Sequence, residues 1–127
     1  MVLLPFFFLF SGKQFIPGQS NNMFTFPGIG LGALACQAKM ITDSMLYAAA
    51  LGLAEAVTQQ DLEAGRIYPR VSEIPRVSAE VAFALCKQAQ KEGLAQLTFE
   101  DDQQLRQHIA DRMWKPTYGS LVRVDRI

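Results

Sequence analysis

Two adjacent asparagines, Asn21 and Asn22, are the side chains of this sequence best suited to binding a small polar ligand. A carboxamide donates hydrogen bonds through its nitrogen and accepts them through its oxygen. That combination suits a substrate with both a carboxylate and a hydroxyl group, or the amide of a nicotinamide. Asparagines that follow Pro-Gly-Gln-Ser are more often simple turn residues. The residues alone therefore leave a binding role and a turn role open.

A second motif, Gly28-x-Gly30-x-x-Ala33, has the spacing of a dinucleotide-binding turn, in which glycines let the backbone approach a pyrophosphate at a helix N-terminus. A second strand ending in Asp or Glu should follow about twenty residues later, and none is evident. The alternative, which we favour, is that these small residues allow a buried helix to pack closely against its neighbours.

The remaining polar and sulfur-containing side chains have simpler explanations. His108 lies in a polar helical stretch, where a solvated position is expected. Neighbouring acids at 100–102 suit the dipole at a helix start, and Cys36 and Cys86 are expected to be small buried residues because they lack metal-ligand spacing. A solvated surface is expected for the three arginines of a proline-containing connection: Arg66, Arg70 and Arg76. We predict no catalytic residue and no metal ligand.

The elements that position these residues are mainly helices. Met23 to Phe26 is typical of a short buried strand that Pro27 ends, and residues 28–38 of a helix that is apolar nearly all round. Helical spacing predicts an apolar stripe of Leu46, Ala49, Leu53 and Val57. Each later helix is expected to follow a capping residue: Thr42, Thr58, Ser78 and Thr98, the last in a variant capping box with Asp101.

Composition excludes two classes of partner. The formal net charge is zero, with 12 basic and 12 acidic residues, so a nucleic-acid surface is not indicated. Residues 1–10 are apolar but too short to cross a membrane, which takes about 20 residues, and a membrane-tethered protein is therefore not favoured. Two cysteines without a disulfide framework favour a reducing, cytoplasmic setting.

Longer strings carry a resemblance to a known family. The run GKQFIPGQSNNMFTFPGIGLGALACQAKMITD resembles the part of malic enzymes in which a loop with paired asparagines enters a Phe-Pro-Gly turn. LEAGRIYPRVSEIPRVSAEVAFALCKQA is similar to a later part of the same enzymes, and so is an ending with Trp114 and Tyr118. The resemblance covers residues 12–120. It implies a carboxy-terminal part of an NAD(P)-binding domain over residues 12–127, preceded by an apolar segment, 1–11, that does not match.

The resemblance implies an α/β fold: the closing part of a Rossmann-like domain, mostly α, with one or two short strands and low stability when isolated. It also implies oxidation and decarboxylation of malate with NAD or NADP and Mg²⁺ or Mn²⁺. Asn21 and Asn22 are then the candidates for contact with malate or the cofactor. The family's catalytic Tyr and Lys, metal ligands and dinucleotide fingerprint belong upstream, so we expect this chain alone to bind no cofactor.

Three functional hypotheses follow. The first is a section of a malic enzyme that is inactive alone, arising from a gene that is truncated or read in a shifted frame before Ser11. The second is a non-catalytic association module that packs on a complementary fragment, on a full-length subunit or in a homo-oligomer. The third is the membrane-tethered helical protein. Malate and NAD(P) are the partners expected in the full-length context.

Overall fold

The computed structural model describes residues 8–10, 12–15, 17–115, 117 and 119. The predictions for residues 1–7, for Ser11 and for Tyr118 therefore lie outside the described residues. The described elements are two strands and five α-helices, in this order: β1 (Phe8–Phe10), β2 (Lys13–Phe15), α1 (Phe26–Ala35), α2 (Asp43–Glu55), α3 (Gln59–Glu63), α4 (Ile74–Lys91) and α5 (Asp102–Arg112). Two short 3-10 helices, Asn22–Phe24 and Val71–Glu73, precede α1 and α4.

Strands β1 and β2 form an antiparallel hairpin in which Phe8 pairs with Phe15 and Phe10 with Lys13. Gly12 lies in the turn between them with φ of +73°, a conformation that glycine adopts without steric cost. The Pro17-Gly18 turn and the polar residues 20–22 predict a loop from Lys13 to Asn22. The hairpin shows that the chain is extended there before it enters the Asn-containing segment.

Helices α1 and α4 run parallel and touch through small residues. A Cβ atom on Gly28 would lie 2.5 Å from Val81 Cβ, and one on Gly32 would lie 3.0 Å from Ala82 Cα. The contacts advance by four residues on both helices, which requires the same chain direction. Close approach of the two backbones therefore depends on glycine at these positions.

Helix α2 packs against α4 from another side and runs in the opposite direction. Gly52 contacts Glu80 and Ala84, whereas the N-cap Thr42 donates its hydroxyl to Glu92 Oε2 at 2.8 Å. The buried stripe of α2 is formed by Met45, Ala49 and Gly52. Leu46 was expected in that stripe, but it is 43% exposed because the closest approach to α4 falls at a smaller residue.

The element starts predicted at Met23 and Ser78 are wrong. The segment from Met23 to Phe26 is not a strand but a 3-10 turn followed by the first residue of α1. Pro27 does not end this segment, because proline fits the first turn of a helix, where no N–H partner is needed. Ser78 is not an N-cap, since α4 begins at Ile74 with a proline next to it. Ser78 is buried inside the helix instead.

The caps expected at Thr42 and Thr58 are confirmed, whereas α5 is capped by Asp101, three residues after the expected Thr98. The side-chain oxygens of the three observed caps accept backbone N–H groups of Met45, Asp61 and Gln103 respectively. Gly65 and Gly93 follow helices α3 and α4 with φ of +75° and +69°. Local polar chemistry therefore defines these helix ends.

Helix α5 completes the core by burying Leu105 and Ile109. His108 is not a solvated side chain as predicted. Its Nε2 lies 3.0 Å from the carbonyl oxygen of Ala35 and its Nδ1 lies 3.0 Å from Arg112 Nη1. A neutral ring with hydrogen on Nε2 satisfies both contacts, so His108 ties α5 to the end of α1.

Among the described residues, no helix combines the length and the apolar character that a membrane crossing requires.

Candidate functional site around the asparagine loop

The asparagine loop, defined here as residues 17–22, leads directly into α1. Asn21 has an extended backbone, and its Oδ1 accepts the backbone N–H of Met23 at 3.0 Å. The carbonyl of Asn21 also accepts the N–H of Phe24 at 3.2 Å. Asn21 is therefore the cap of the 3-10 turn, and within the described residues its Nδ2 group has no protein partner. Asn21 thus has a structural role in the turn, and within the described residues both N–H groups of its side chain stay available.

The backbone of Asn22 makes hydrogen bonds within the turn, whereas its side chain makes none to the described part of the chain. Its carbonyl accepts the N–H of Thr25 at 3.0 Å and the hydroxyl of Thr25 at 3.3 Å. Both asparagines are exposed. The whole carboxamide of Asn22 is thus available to a ligand, whereas Asn21 offers only its nitrogen.

The loop is held in place by a segment about fifty residues further along the chain. The hydroxyl of Ser20 donates a hydrogen bond to the hydroxyl oxygen of Tyr68 at 3.0 Å. The N–H of Ile67 donates to the carbonyl of Pro17 at 3.2 Å. The ring of Tyr68 lies 6.0 Å from the ring of the buried Phe24, centroid to centroid. These contacts fix both ends of the asparagine loop.

A buried carboxylate anchors the Tyr68 segment in turn. Asp61 is fully buried, and its Oδ1 accepts hydrogen bonds from Arg66 Nε at 3.0 Å and from Arg70 Nε at 3.2 Å. The hydroxyl of Thr58 donates to the other carboxylate oxygen at 2.6 Å. The Thr58 hydroxyl, followed by the two arginines, lowers the pKa of Asp61 to about 2 against the opposing effect of burial.

Sequence reasoning missed this network. It expected Arg66 and Arg70 to be solvated, and it assigned no role to Tyr68 or Ser20. The positions of the two arginines, five and nine residues after an acid that follows a helix cap, were the only signal in the sequence. That signal is weak, since only the fold shows that Asp61 is enclosed.

The spacing Gly28-x-Gly30-x-x-Ala33 does not form a phosphate-binding turn here. Gly28 faces Val81 and the backbone of Ser78 so closely that no ligand could lie against it. A 3-10 turn, and not a strand, precedes the helix. The motif is a packing feature of α1, as the favoured alternative held.

Metal-binding side chains are not clustered in the described region, where no group of three or more His, Cys, Asp or Glu side chains lies together. Cys36 and Cys86 are both buried and free, as expected for small core residues.

Comparison with known proteins gives these features a context. The family model described as "Malic enzyme, NAD binding domain" matches residues 6–90. The chain belongs to the malic enzyme family. The match runs through the asparagine loop, the Tyr68 segment and most of α4, so the resemblance seen in the sequence is confirmed.

Individual malic enzymes agree with this assignment. An NADP-dependent malic enzyme of Dictyostelium discoideum is 39% identical over 109 residues, which is 86% of this chain and 20% of that protein. An NAD-dependent malic enzyme of Shewanella denitrificans is 44% identical over 107 residues, or 84% of this chain and 18% of that protein. The chain spans about a fifth of the length of these relatives.

Solved malic enzyme structures share the fold. The enzyme of Pyrococcus horikoshii has a TM-score of 0.61 and 36% identity, covering 75% of this chain and 21% of that one. The enzyme of Entamoeba histolytica has a TM-score of 0.64 and 33% identity, covering 75% and 20%. The fold is therefore that of part of a Rossmann-like NAD-binding domain, represented here mostly by its helices.

Proposed function

We propose that this chain is the section of an NAD(P)-dependent malic enzyme that carries the asparagine loop, and that it does not oxidise malate by itself. The observation that carries the proposal is the exposed, tethered pair Asn21–Asn22 inside the family match. The alternative of a non-catalytic association module is not favoured, because the match includes this loop.

The two asparagines have distinct tasks in the proposed site. Asn22 presents both a donor and an acceptor, so it can bind the carboxylate and hydroxyl oxygens of malate or the amide of nicotinamide. Asn21 keeps its Oδ1 on Met23 and offers Nδ2 as a donor. A loop held at both ends by Tyr68 and Ile67 loses little conformational entropy when it binds such a ligand.

The residues that the structure describes do not fit a divalent metal site, since no three suitable ligands lie together among them. The cofactor contacts proposed for this chain are limited to the nicotinamide end, because the glycine motif of α1 is filled by α4. A cytoplasmic setting remains our proposal, supported by the two free cysteines. Assembly into a homo-oligomer stays a prediction.

A chimera tests this function. Residues 12–127 replace the matching segment of the Shewanella denitrificans enzyme, and malate-dependent reduction of NAD⁺ and NADP⁺ is measured with Mn²⁺. We expect activity from the chimera and none from the 127-residue chain. Asn22→Ala should lower kcat/KM about 10- to 100-fold, because a hydrogen bond to a charged group contributes roughly 1.5–3 kcal/mol.

The matched control is Gln19→Ala, which truncates an exposed amide of the same loop. It should leave kcat/KM within about twofold, an effect below 0.5 kcal/mol. Turnover by the isolated chain would show that its own residues suffice for catalysis. If the chimera retained full activity after Asn21→Ala and Asn22→Ala, these asparagines would not contact malate or the cofactor.

A further inference from the structure

Helices α1 and α4 carry matching patterns of small residues that both end in cysteine. On α1 the pattern is Gly28, Gly32 and Cys36; on α4 it is Ser78, Ala82 and Cys86. Each pattern has a four-residue spacing, which places its members on one helical face. Because the helices are parallel and Gly28 and Gly32 meet Ser78 and Ala82, the next turn brings the two cysteines together.

One turn before the cysteines, the backbones of the two helices approach within the range that a disulfide spans. A Cβ atom on Gly32 would lie 3.0 Å from Ala82 Cα, so the two Cα atoms are no more than about 4.5 Å apart, given a carbon–carbon bond of about 1.5 Å. Disulfides join residues whose Cα atoms are roughly 4.4–6.8 Å apart. Cys36 and Cys86 lie one turn beyond this contact on both segments.

Both cysteines converge on one backbone atom. The Sγ of Cys86 donates to the carbonyl oxygen of Gly32 at 3.2 Å, and the N–H of Cys36 donates to the same oxygen at 3.1 Å. The carbonyl of Cys36 accepts the N–H groups of Gln96 and Leu97. Cys36 is thus held by its backbone on both sides while its thiol shares an enclosed, apolar space with that of Cys86.

The environment also makes the two thiols chemically unequal. The neighbouring Cys86 side chain lowers the pKa of Cys36 to about 7, although burial opposes this. The interaction with Cys36, together with burial, raises the pKa of Cys86. A pair that holds one thiolate and one thiol is better prepared for attack on an oxidant than two neutral thiols, because the thiolate is the nucleophile.

We propose that Cys36 and Cys86 are a redox-active pair that a peroxide converts to an intramolecular disulfide joining the end of α1 to α4. The inference stands whether or not the chain forms part of an active enzyme.

The chemistry balances with hydrogen peroxide as the oxidant. The Cys36 thiolate attacks one oxygen, the O–O bond breaks, and the hydroxide that leaves takes up a proton to become water. The resulting sulfenic acid on Cys36 is attacked by the sulfur of Cys86, which gives up its proton as the S–O bond breaks and a second water leaves. Two electrons pass from the two sulfurs to the peroxide.

Because both thiols are fully buried, the oxidant reaches them only when the end of α1 opens locally. The bridge would then suppress further opening, since it closes a loop that runs from α1 to α4. We expect the midpoint of thermal unfolding to rise by on the order of 10 °C on oxidation.

The test uses the reduced 127-residue chain, treated with hydrogen peroxide and analysed by intact mass. The monomer should lose two hydrogens, a non-reducing peptide map should link the Cys36 and Cys86 peptides, and dithiothreitol should restore the mass. Cys86→Ala should give no such loss, and its Cys36 should instead accumulate a sulfenic acid that dimedone traps. Cys36→Ala should give neither product at a comparable rate.

A parallel reaction in concentrated guanidinium separates the folded arrangement from chance encounter, and circular dichroism checks that each variant is folded. The bridge should form faster in the folded chain than in denaturant. Equal rates of bridge formation in the folded and the denatured chain would overturn the proposal. It would also be overturned if both cysteines could still be alkylated after peroxide treatment and denaturation. Bridges found only between separate molecules would have the same meaning.

Discussion

Gly28 and Gly30 lie two residues apart in α1 and have opposite surroundings. A methyl group on Gly28 would meet Val81 Cβ at 2.5 Å and Ser78 O at 2.8 Å, whereas one on Gly30 would meet no atom within 4 Å. A dinucleotide-binding motif would need both glycines next to a ligand. The packing role of the motif needs only Gly28.

This difference predicts opposite effects of the same substitution. Gly28→Ala should lower the free energy of unfolding by about 1–3 kcal/mol, because α1 and α4 must move apart. Gly30→Ala should raise it by roughly 0.5–1 kcal/mol, because alanine favours an exposed helix interior. Denaturant titration of both variants measures the two values. Equal losses would mean that Gly30 is covered in solution and that α1 has a neighbour on that side.

At the scale of elements, helix α3 and the segment after it are organised around the carboxylate of Asp61. Its pKa falls from 3.8 to about 2 on folding, so its charged form stabilises the native state. A depressed pKa contributes stability that is complete above the unfolded value and is lost as the pH falls towards the folded value. We therefore expect unfolding to become easier between about pH 4 and pH 2 through this residue.

Asp61→Asn isolates that contribution. The variant should unfold at a lower temperature than the wild type at pH 7, since Arg66 and Arg70 lose their charged partner. The difference between the two proteins should shrink as the pH falls from 4 to 2. Asp111→Asn, at an exposed position on α5, is the matched control and should give a small, constant difference. A pH-independent gap for Asp61→Asn would show that this carboxylate is not responsible.

The Tyr68 segment and the asparagine loop form the second unit at this scale. Tyr68→Phe removes only the hydroxyl that meets Ser20. We expect amide hydrogen exchange at Ile67 and Met23 to become up to about 10-fold faster, because one net hydrogen bond contributes roughly 0.5–1.5 kcal/mol. Tyr47→Phe, at a 67% exposed position on α2, should leave both rates unchanged. Unchanged exchange in Tyr68→Phe would mean that the loop is held without this contact.

Which elements the sequence could predict follows from the range of the interactions that define them. Thr42 and Thr58 cap their helices through contacts three residues away, so composition and spacing were sufficient. The cap of α5 was expected at Thr98 and lies at Asp101, since both residues can accept a backbone N–H. The strand expected from Met23 to Phe26 is not formed. The same run of apolar residues also fits a 3-10 turn capped by an asparagine and followed by a helix with proline in its first turn. Ser78 was misplaced because α4 begins after a 3-10 turn whose N-cap position is occupied by Arg70, which is not a usual capping residue.

The candidate site divides in the same way. Asn21 and Asn22 could be named from the sequence, since their side-chain chemistry and the family resemblance both point to them. The hydrogen bond between Ser20 and Tyr68 that supports them could not be predicted, because these two residues are 48 positions apart along the chain. Nothing local to either residue indicates the other, and only packing of α1 and α4 brings their segments together.

At the scale of the whole molecule, the apolar first half of the chain is only partly covered. The sequence has only four charged residues before Asp61, a composition that indicates burial of this half either in its own core or against another surface. Several large apolar side chains of α1 and α2 are exposed, namely Phe26, Leu34, Leu46, Tyr47 and Leu51. This exposure supports the second possibility for a chain that spans about a fifth of its relatives.

Leu34 provides the test, because it is 76% exposed whereas Leu85 is fully buried. Leu34→Gln should change the free energy of unfolding by less than about 0.5 kcal/mol and should reduce binding of a hydrophobic dye and self-association at high concentration. Leu85→Ala should lower the free energy of unfolding by about 2–5 kcal/mol.

Denaturant titration and sedimentation of both variants at two concentrations measure the stability and the self-association. A large cost for Leu34→Gln that grows with protein concentration would mean that α1 is covered by a second copy, and the isolated chain would then owe part of its stability to assembly.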